Sequence, residues 1–188
     1  MRKAVLISGI VILMALGGCV RRNDPETAVT PTPVVLSQWA SSASASSAYG
    51  MPDWSAQRAT GEPDVEGCVD DSRAWASARG NGLEWLDLRY DTPVYATEVR
   101  IYQTLGRGSL ARVTLIDEAG EEQLVWQGTD TTEPCPGVFS VSVSRALTRT
   151  VGVRVELDES RTGFWNQIDA VSLVGGTRGS ALFSARFL

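Results

Sequence analysis

Histidine is absent from this 188-residue chain, which removes serine–histidine and cysteine–histidine nucleophilic systems. The commonest zinc ligand goes with it, and three cysteines fall short of an all-thiolate zinc site, which takes one more. Lysine is nearly missing: Lys3 stands alone among 17 basic residues, and the arginines lie scattered against 22 acidic residues for a net charge of −5. No basic block tracks a phosphate backbone, so nucleic acid is excluded as a partner. The apolar run Ala4 to Leu16 holds thirteen residues, too few for the about 20 that a bilayer-crossing helix takes. No window of the domain carries an amphipathic helical stripe either. What remains is an ordinary globular composition, 43% hydrophobic and 21% charged, sized for one domain with short additions.

Arg2 and Lys3 precede the apolar run, the order of a secretory signal. The run ends in Leu16-Gly17-Gly18-Cys19, which resembles the bacterial lipobox: a leucine, two small residues, then the cysteine that is acylated. An ordinary signal peptide with a chance cysteine behind it is the alternative. The resemblance implies that residues 1–18 are a lipoprotein signal peptide and that Cys19 carries the acyl chains; several chains anchor stably where one binds marginally. Val20 stands where inner-membrane retention in enterobacterial lipoproteins uses aspartate. The expected location is therefore the bacterial cell envelope, with the outer membrane as the default. Residues 19–33, including Thr30-Pro31-Thr32-Pro33, read as the lipidated cysteine and a flexible tether. Residues 34–175 read as the folded domain, and 176–188 as a C-terminal tail.

Inside the domain the hydrophobic period is two. Leu86, Leu88 and Tyr90 alternate with Asp87 and Arg89; Val99 and Ile101 alternate with Arg100 and Tyr102; Val113 and Leu115 alternate with Arg112 and Thr114. Stretches 124–126, 138–143, 151–157 and 168–174 continue the series. Turn chemistry punctuates it at Asp91-Thr92-Pro93, Gly106-Arg107-Gly108, Asp117 to Gly120, Glu133 to Gly137 and Asp158 to Gly163. Seven or eight short strands so spaced predict an all-β fold, an antiparallel β-sandwich or jelly roll. The Ala/Ser-rich stretch Ala40 to Ala48 lacks the alternation. It reads either as a linker or, with Trp39, Trp54 and Trp75 around it, as an irregular segment packed over the sandwich. Trp75 and Trp85 are placed in the core.

Export would leave Cys68 and Cys135 in an oxidising compartment, where two otherwise unassigned thiols bridge. The expectation is one disulfide joining two surface loops; a pair of buried free thiols is the alternative.

Three stretches read together resemble the discoidin-like, galactose-binding-type sandwich family, which includes coagulation-factor type C domains and carbohydrate-binding modules. They are Ala59-Thr60-Gly61-Glu62-Pro63-Asp64 with Asp70 to Ser77, then Glu84 to Leu88 with Thr97 to Tyr102, then Trp165 to Val171. The resemblance implies a structural Ca2+ on oxygens of Asp70, Asp71, Asp169 and the Ala74 carbonyl. The bland counterpart is that Asp169 accepts backbone amides and Asp70-Asp71 caps a turn. No organic cofactor is implied. It further implies sugar recognition by loop-borne aromatics and polar groups, for which Tyr49, Trp54, Tyr102, Arg107, Trp165 and Asn166 are the candidates. A tryptophan among them could equally be core, and Arg107 a solvated loop tip. The acidic groups Glu62, Asp64, Glu66 and Glu118, Glu121, Glu122 look like solvated turns and not like the facing pair that glycoside hydrolysis needs. The expectation is a non-enzymatic, lipid-anchored module binding carbohydrate or another envelope component. The alternative is an assembly lipoprotein that docks on an envelope protein.

Overall fold

Alternation of period two becomes nine strands in the computed structural model, which describes residues 34–178. The expected signal peptide 1–18, the lipidation site Cys19, the tether up to residue 33 and the tail beyond residue 178 lie outside the described residues. The strands are β1 (Val35–Trp39), β2 (Ser42–Ala45), β3 (Trp75–Ala76), β4 (Leu83–Leu105), β5 (Leu110–Asp117), β6 (Glu122–Gln127), β7 (Gly137–Ser142), β8 (Thr150–Asp158) and β9 (Gln167–Gly176). Every pairing is antiparallel. One layer runs β2–β4–β8–β5–β6. The other runs β7–β4–β9, with β1 and β3 sharing the far edge of β9. The fold is an antiparallel β-sandwich, as the alternation predicts.

Strand β4 belongs to both layers, and here the structure corrects the expected turn at Asp91–Pro93. Its first half pairs with β8 through Arg89, its second half pairs with β9 from Tyr95, and the register against β8 shifts between Arg89 and Val94. Proline has no N–H to offer a ladder, so Pro93 falls where the strand changes sheets. The Gln38 side chain takes the missing partner's place: its Nε2 donates to the Thr92 carbonyl at 2.7 Å, and its Oε1 accepts from the Thr92 amide at 3.2 Å. A bent strand with a side-chain patch thus stands where a hairpin was expected.

The Ala/Ser segment is not wholly irregular. Ala43 and Ala45 pack against the core while Ser42 to Ala45 pair with Leu86 to Arg89. Alanine and serine carry little strand preference of their own, so the neighbouring strand imposes the pairing. Between the layers, Leu86, Leu88, Val153 and Val155 meet Val99, Ile101, Val171 and Leu173 in one buried cluster, each such side chain contributing about 1.5–3 kcal/mol. Trp75 is fully buried there. Trp85 is not: one residue before inward-facing Leu86, it points outward and lies under the Arg154 guanidinium, 5.2 Å from the ring centroid.

The expected disulfide is present between Cys68 and Cys135, with Cα atoms 5.1 Å apart. It ties the loop before Asp70 to the loop before β7. Closing a loop of this length is worth about 4 kcal/mol by chain entropy.

Candidate functional site

At one end of the sandwich β4 finishes, β5 and β9 begin, and the segments 46–54, 70–74, 106–109 and 159–166 come together. Val35 and Gly176, paired with each other, lie at the other end. The ten residues of β9 separate the two ends by about 30 Å.

Three sequence candidates converge here. Tyr49 stands centrally, its ring edge-to-face with Trp54 at 5.2 Å and with Trp165 at 5.8 Å. Phe164, which the sequence reading did not single out, adds a further edge-to-face contact with Trp165 at 5.8 Å. Tyr49 is 57% exposed and Phe164 47%. Together with Asp70, Gln167, Ala76 and Leu105 they line a shallow cleft of about 110 Å³. Phe164-Trp165 following Gly163 was the missed signal: two adjacent large aromatics beside a turn glycine cannot both enter a core.

The backbone holds this arrangement against local preference. Trp54 has φ 53°, a left-handed conformation that costs a bulky residue about 1–3 kcal/mol. Its amide donates to the Ser72 carbonyl at 3.0 Å, and its carbonyl accepts from the Ala76 amide at 3.2 Å. Both bonds fix it to the chain entering and forming β3. Trp165 is held by contact at two glycines. A Cβ on Gly106 would sit 1.7 Å from the Trp165 carbonyl oxygen, and one on Gly80 would sit 2.8 Å from its amide nitrogen. The indole Nε1 of Trp165 is buried without an acceptor among the described residues.

Beneath the aromatics lies a buried polar network. Asn166, expected as a ligand contact, is fully buried and serves this network instead. Its Nδ2 donates to Gln103 Oε1 at 2.7 Å and to the Gly106 carbonyl at 3.2 Å, and Gln103 Nε2 donates to Asp130 Oδ2 at 2.8 Å. The Asn166 amide donates to Glu159 Oε1 at 3.1 Å, while Ser77 Oγ lies 2.7 Å from Oε2. Glu159 is buried with no cation against it among the described residues, and desolvation raises its pKa above the ordinary value. Sequence reasoning missed Glu159, Gln103 and Asp130, which carry no local motif.

Two further candidates lie apart from the cleft. Tyr102 projects from the outer face of β4 and packs on Trp39 at 5.3 Å. Arg107 is no solvated tip: its Nη1 donates to the carbonyls of Thr132, Glu133 and Pro134, clamping the loop that carries Cys135. Neither guanidinium nor phenol reaches the aromatic cleft.

The residues assigned to calcium do not fit that ion as arranged. Asp169 accepts from the amides of Asp64 at 3.4 Å and Val65 at 3.2 Å, and burial raises its pKa. Asp71 faces Arg73 at 2.7 Å, and this guanidinium holds its carboxyl below the usual range. Arg73 Nη1 also reaches the Asp64 carbonyl at 2.6 Å. Ala74 enters through its amide, which donates to the Asp71 carbonyl at 3.1 Å. Asp70 turns instead to the cleft, its Oδ1 accepting from Gln167 Nε2 at 2.6 Å and Trp54 Nε1 at 3.3 Å. Among the described residues no cluster of three or more Cys, Asp or Glu is placed to hold a metal.

With this geometry in view, residues 31–182 match the family model described as Pappalysin-1, SD scarf domain, C-terminal. The chain belongs to this scarf-domain family. No curated protein matches it. The scarf domain is similar to several solved structures. One is chitosan-binding module 1 of the chitosanase/glucanase from Paenibacillus sp. IK-5, at 20% identity over 71% of this chain and 94% of that one, TM-score 0.56. Another is the family 32 CBM of C. perfringens NanJ in complex with galactose, at 17% identity over 74% and 99%, TM-score 0.54. The lectin domain of Lectinolysin complexed with Lewis B antigen matches at 17% identity over 70% and 90%, TM-score 0.53. At such identities the likeness is one of fold, the galactose-binding-like sandwich.

Proposed function

We propose that the scarf domain is a non-catalytic carbohydrate-binding module whose site is the cleft of Tyr49, Trp54, Phe164 and Trp165. The observation that carries the reading is four aromatics gathered on loops at one end, one of them held in a left-handed backbone conformation. A core needs no such strain, whereas a platform for the apolar face of a pyranose needs rings presented to solvent in a fixed order. The sugar ligands named for the fold neighbours support the same reading. Buried Asn166, Gln103, Glu159 and Asp130 act as positioning residues that hold Trp165 from below.

The proposal includes the cellular setting implied by Leu16-Gly17-Gly18-Cys19: cleavage after residue 18, acylation of Cys19 and attachment to the cell envelope, with the outer membrane as the default. Val35, where β1 begins, lies at the end of the sandwich away from the cleft.

Calorimetric titration of the protein with a glycan panel tests the binding. Saturable sugar binding that is lost on Tyr49→Ala is expected; a flat panel together with a stable co-purifying envelope protein would instead favour the docking alternative. Labelling with radioactive palmitate tests the anchor, with incorporation expected in the native chain and absent from Cys19→Ser.

A further inference from the structure

Taking the cleft as a sugar site, the charges around it name the class of sugar. Asp70 is the one charged side chain lining the cleft among the described residues. Its Oδ1 accepts from Gln167 and Trp54, and its Oδ2 takes no protein donor among the described residues. No arginine lines the cleft among the described residues: Arg58 lies on Asp53 at 3.0 Å and Arg73 on Asp71 at 2.7 Å, and exposed Arg79, next to Gly80, stays outside the lining. Among the described residues the lining of the cleft therefore holds one carboxylate and no cation.

The carboxylate is also fixed in place. Gln167 is buried, and its Oε1 accepts from the Asp71 amide at 3.1 Å while its Nε2 holds Asp70. Cys68, two residues before Asp70, is pinned through the disulfide to Cys135. A fixed acceptor with one open oxygen, at the indole edge of Trp54 in the cleft it shares with Tyr49, suits a ligand that is apolar on one side and cationic at its edge. Aromatic faces attract ammonium groups through their quadrupole, and a carboxylate bonds an ammonium in a short charge-assisted contact. A uronic acid would set its own carboxylate against Asp70.

We propose that the cleft selects an amino sugar with a free, protonated amine, a glucosamine-type pyranose, with Asp70 receiving the ammonium and Tyr49 and Trp54 the ring face. N-acetylation removes the charge that Asp70 would receive, so the acetylated form binds less well.

The test is calorimetric titration of the full chain in detergent micelles, at mildly acidic pH, with a glucosamine tetrasaccharide, its fully N-acetylated counterpart, a mannuronate tetrasaccharide and galactose. The amino form is expected to bind about tenfold tighter than the acetylated form, the margin of one charge-assisted hydrogen bond. That gap should narrow as salt rises and close in Asp70→Asn. Equal affinity for the amino and acetylated forms overturns the proposal while leaving the sugar reading intact. Tightest binding of mannuronate overturns it likewise. Failure of all four sugars to bind overturns both. The comparison of amino and acetylated forms uses the native protein, so it decides the matter even if Asp70→Asn does not fold.

Discussion

Trp85 and Trp54 are both half-buried tryptophans next to charged groups, yet their surroundings differ in kind. Trp85 sits on the regular outer face of β4, roofed by Arg154. That arginine is in turn paired with Asp87 at 2.6 and 2.7 Å and with Glu122 at 3.0 Å. Each charge there has its partner, and no strained backbone is involved. Trp54 sits on a loop at φ 53°, in a cleft with an aspartate oxygen and a second tryptophan's buried Nε1 that have no partner among the described residues. The sheet face is complete in itself. The cleft end is held in a conformation that the chain would not adopt alone, with polar capacity left over, and such surplus capacity points to a ligand.

The largest expected effect breaks the support of the cleft end. Replacing both Cys68 and Cys135 with serine should destabilise the domain by up to about 4 kcal/mol, read as a lowered urea midpoint. It should also free the loop that carries Asp70 and weaken sugar binding beyond the loss of folded protein. A double variant that melts lower yet binds amino sugar unchanged would show that the bridge has no part in the site.

The next prediction sets the two ends of the sandwich against each other. Gly106 at the cleft end and Gly120 at the far end both have positive φ, 62° and 84°. Only Gly106 lies against a neighbour, since nothing stands within 4 Å of a Cβ on Gly120. Gly120→Ala should therefore cost about 1–2 kcal/mol from backbone strain alone. Gly106→Ala must in addition displace the Trp165 carbonyl and should cost clearly more, with sugar binding lost. Equal melting temperatures for the two variants would contradict the close packing of Trp165.

A smaller effect separates the two tryptophans directly. Trp54→Gly removes the left-handed penalty of about 1–2 kcal/mol together with an edge-to-face contact worth about 0.5–1.5 kcal/mol. Stability should therefore stay nearly level while sugar affinity falls at least about tenfold, the usual margin of a buried aromatic anchor. Arg154→Ala should do the reverse, costing about 1 kcal/mol of stability and leaving sugar affinity unchanged. Loss of binding in Arg154→Ala would move the site to the sheet face.

The sandwich was legible because Leu86, Leu88 and Tyr90, and then Val99 and Ile101, repeat with period two, and period two has one structural meaning. The disulfide was legible by elimination among three cysteines. Tyr49, Trp54 and Trp165 were legible as residue types suited to a ligand, but not as neighbours, since the first and the last are far apart in the chain. Asn166 was misread for a related reason. Its amide is claimed by Gln103 and Gly106, distant in sequence, and no local pattern records that contact. Trp85 was misplaced although its own alternation with Leu86 sends it outward. The bend of β4 was hidden because a side chain, Gln38, replaces the backbone partner that Pro93 cannot engage. Arg73 was passed over because its role depends on which carboxylates the fold brings to it. Coincident melting curves in chelator and in millimolar calcium are the expected check on that arginine.

The smallest predicted effect concerns pH and the buried support beneath Trp165. Ser77 Oγ has one proton and two acceptors within reach, the Arg79 carbonyl at 2.8 Å and Glu159 Oε2 at 2.7 Å. If the hydroxyl serves Arg79, the Glu159 carboxyl must carry a proton to bond Ser77. Burial, with Glu84 nearby adding repulsion, pushes the Glu159 pKa upward in the same direction. For an acid with a raised folded-state pKa, both folded and unfolded chains are protonated below the ordinary value of 4.5, and the contribution is fully present there. As pH rises from 4.5, the unfolded chain ionises first and stability falls, until the folded-state value is passed. Glu159→Gln keeps a neutral side chain that accepts from Asn166 and donates to Ser77, so the variant should gain on the native protein as pH rises through that window. Asp169, also raised by burial, and Asp71, lowered by Arg73, titrate in both proteins and cancel in the difference. Urea denaturation of the pair at a series of pH values measures it. A stability difference that stays constant with pH would mean that Glu159 is ionised in the folded domain, and the support beneath Trp165 would then be a charged one.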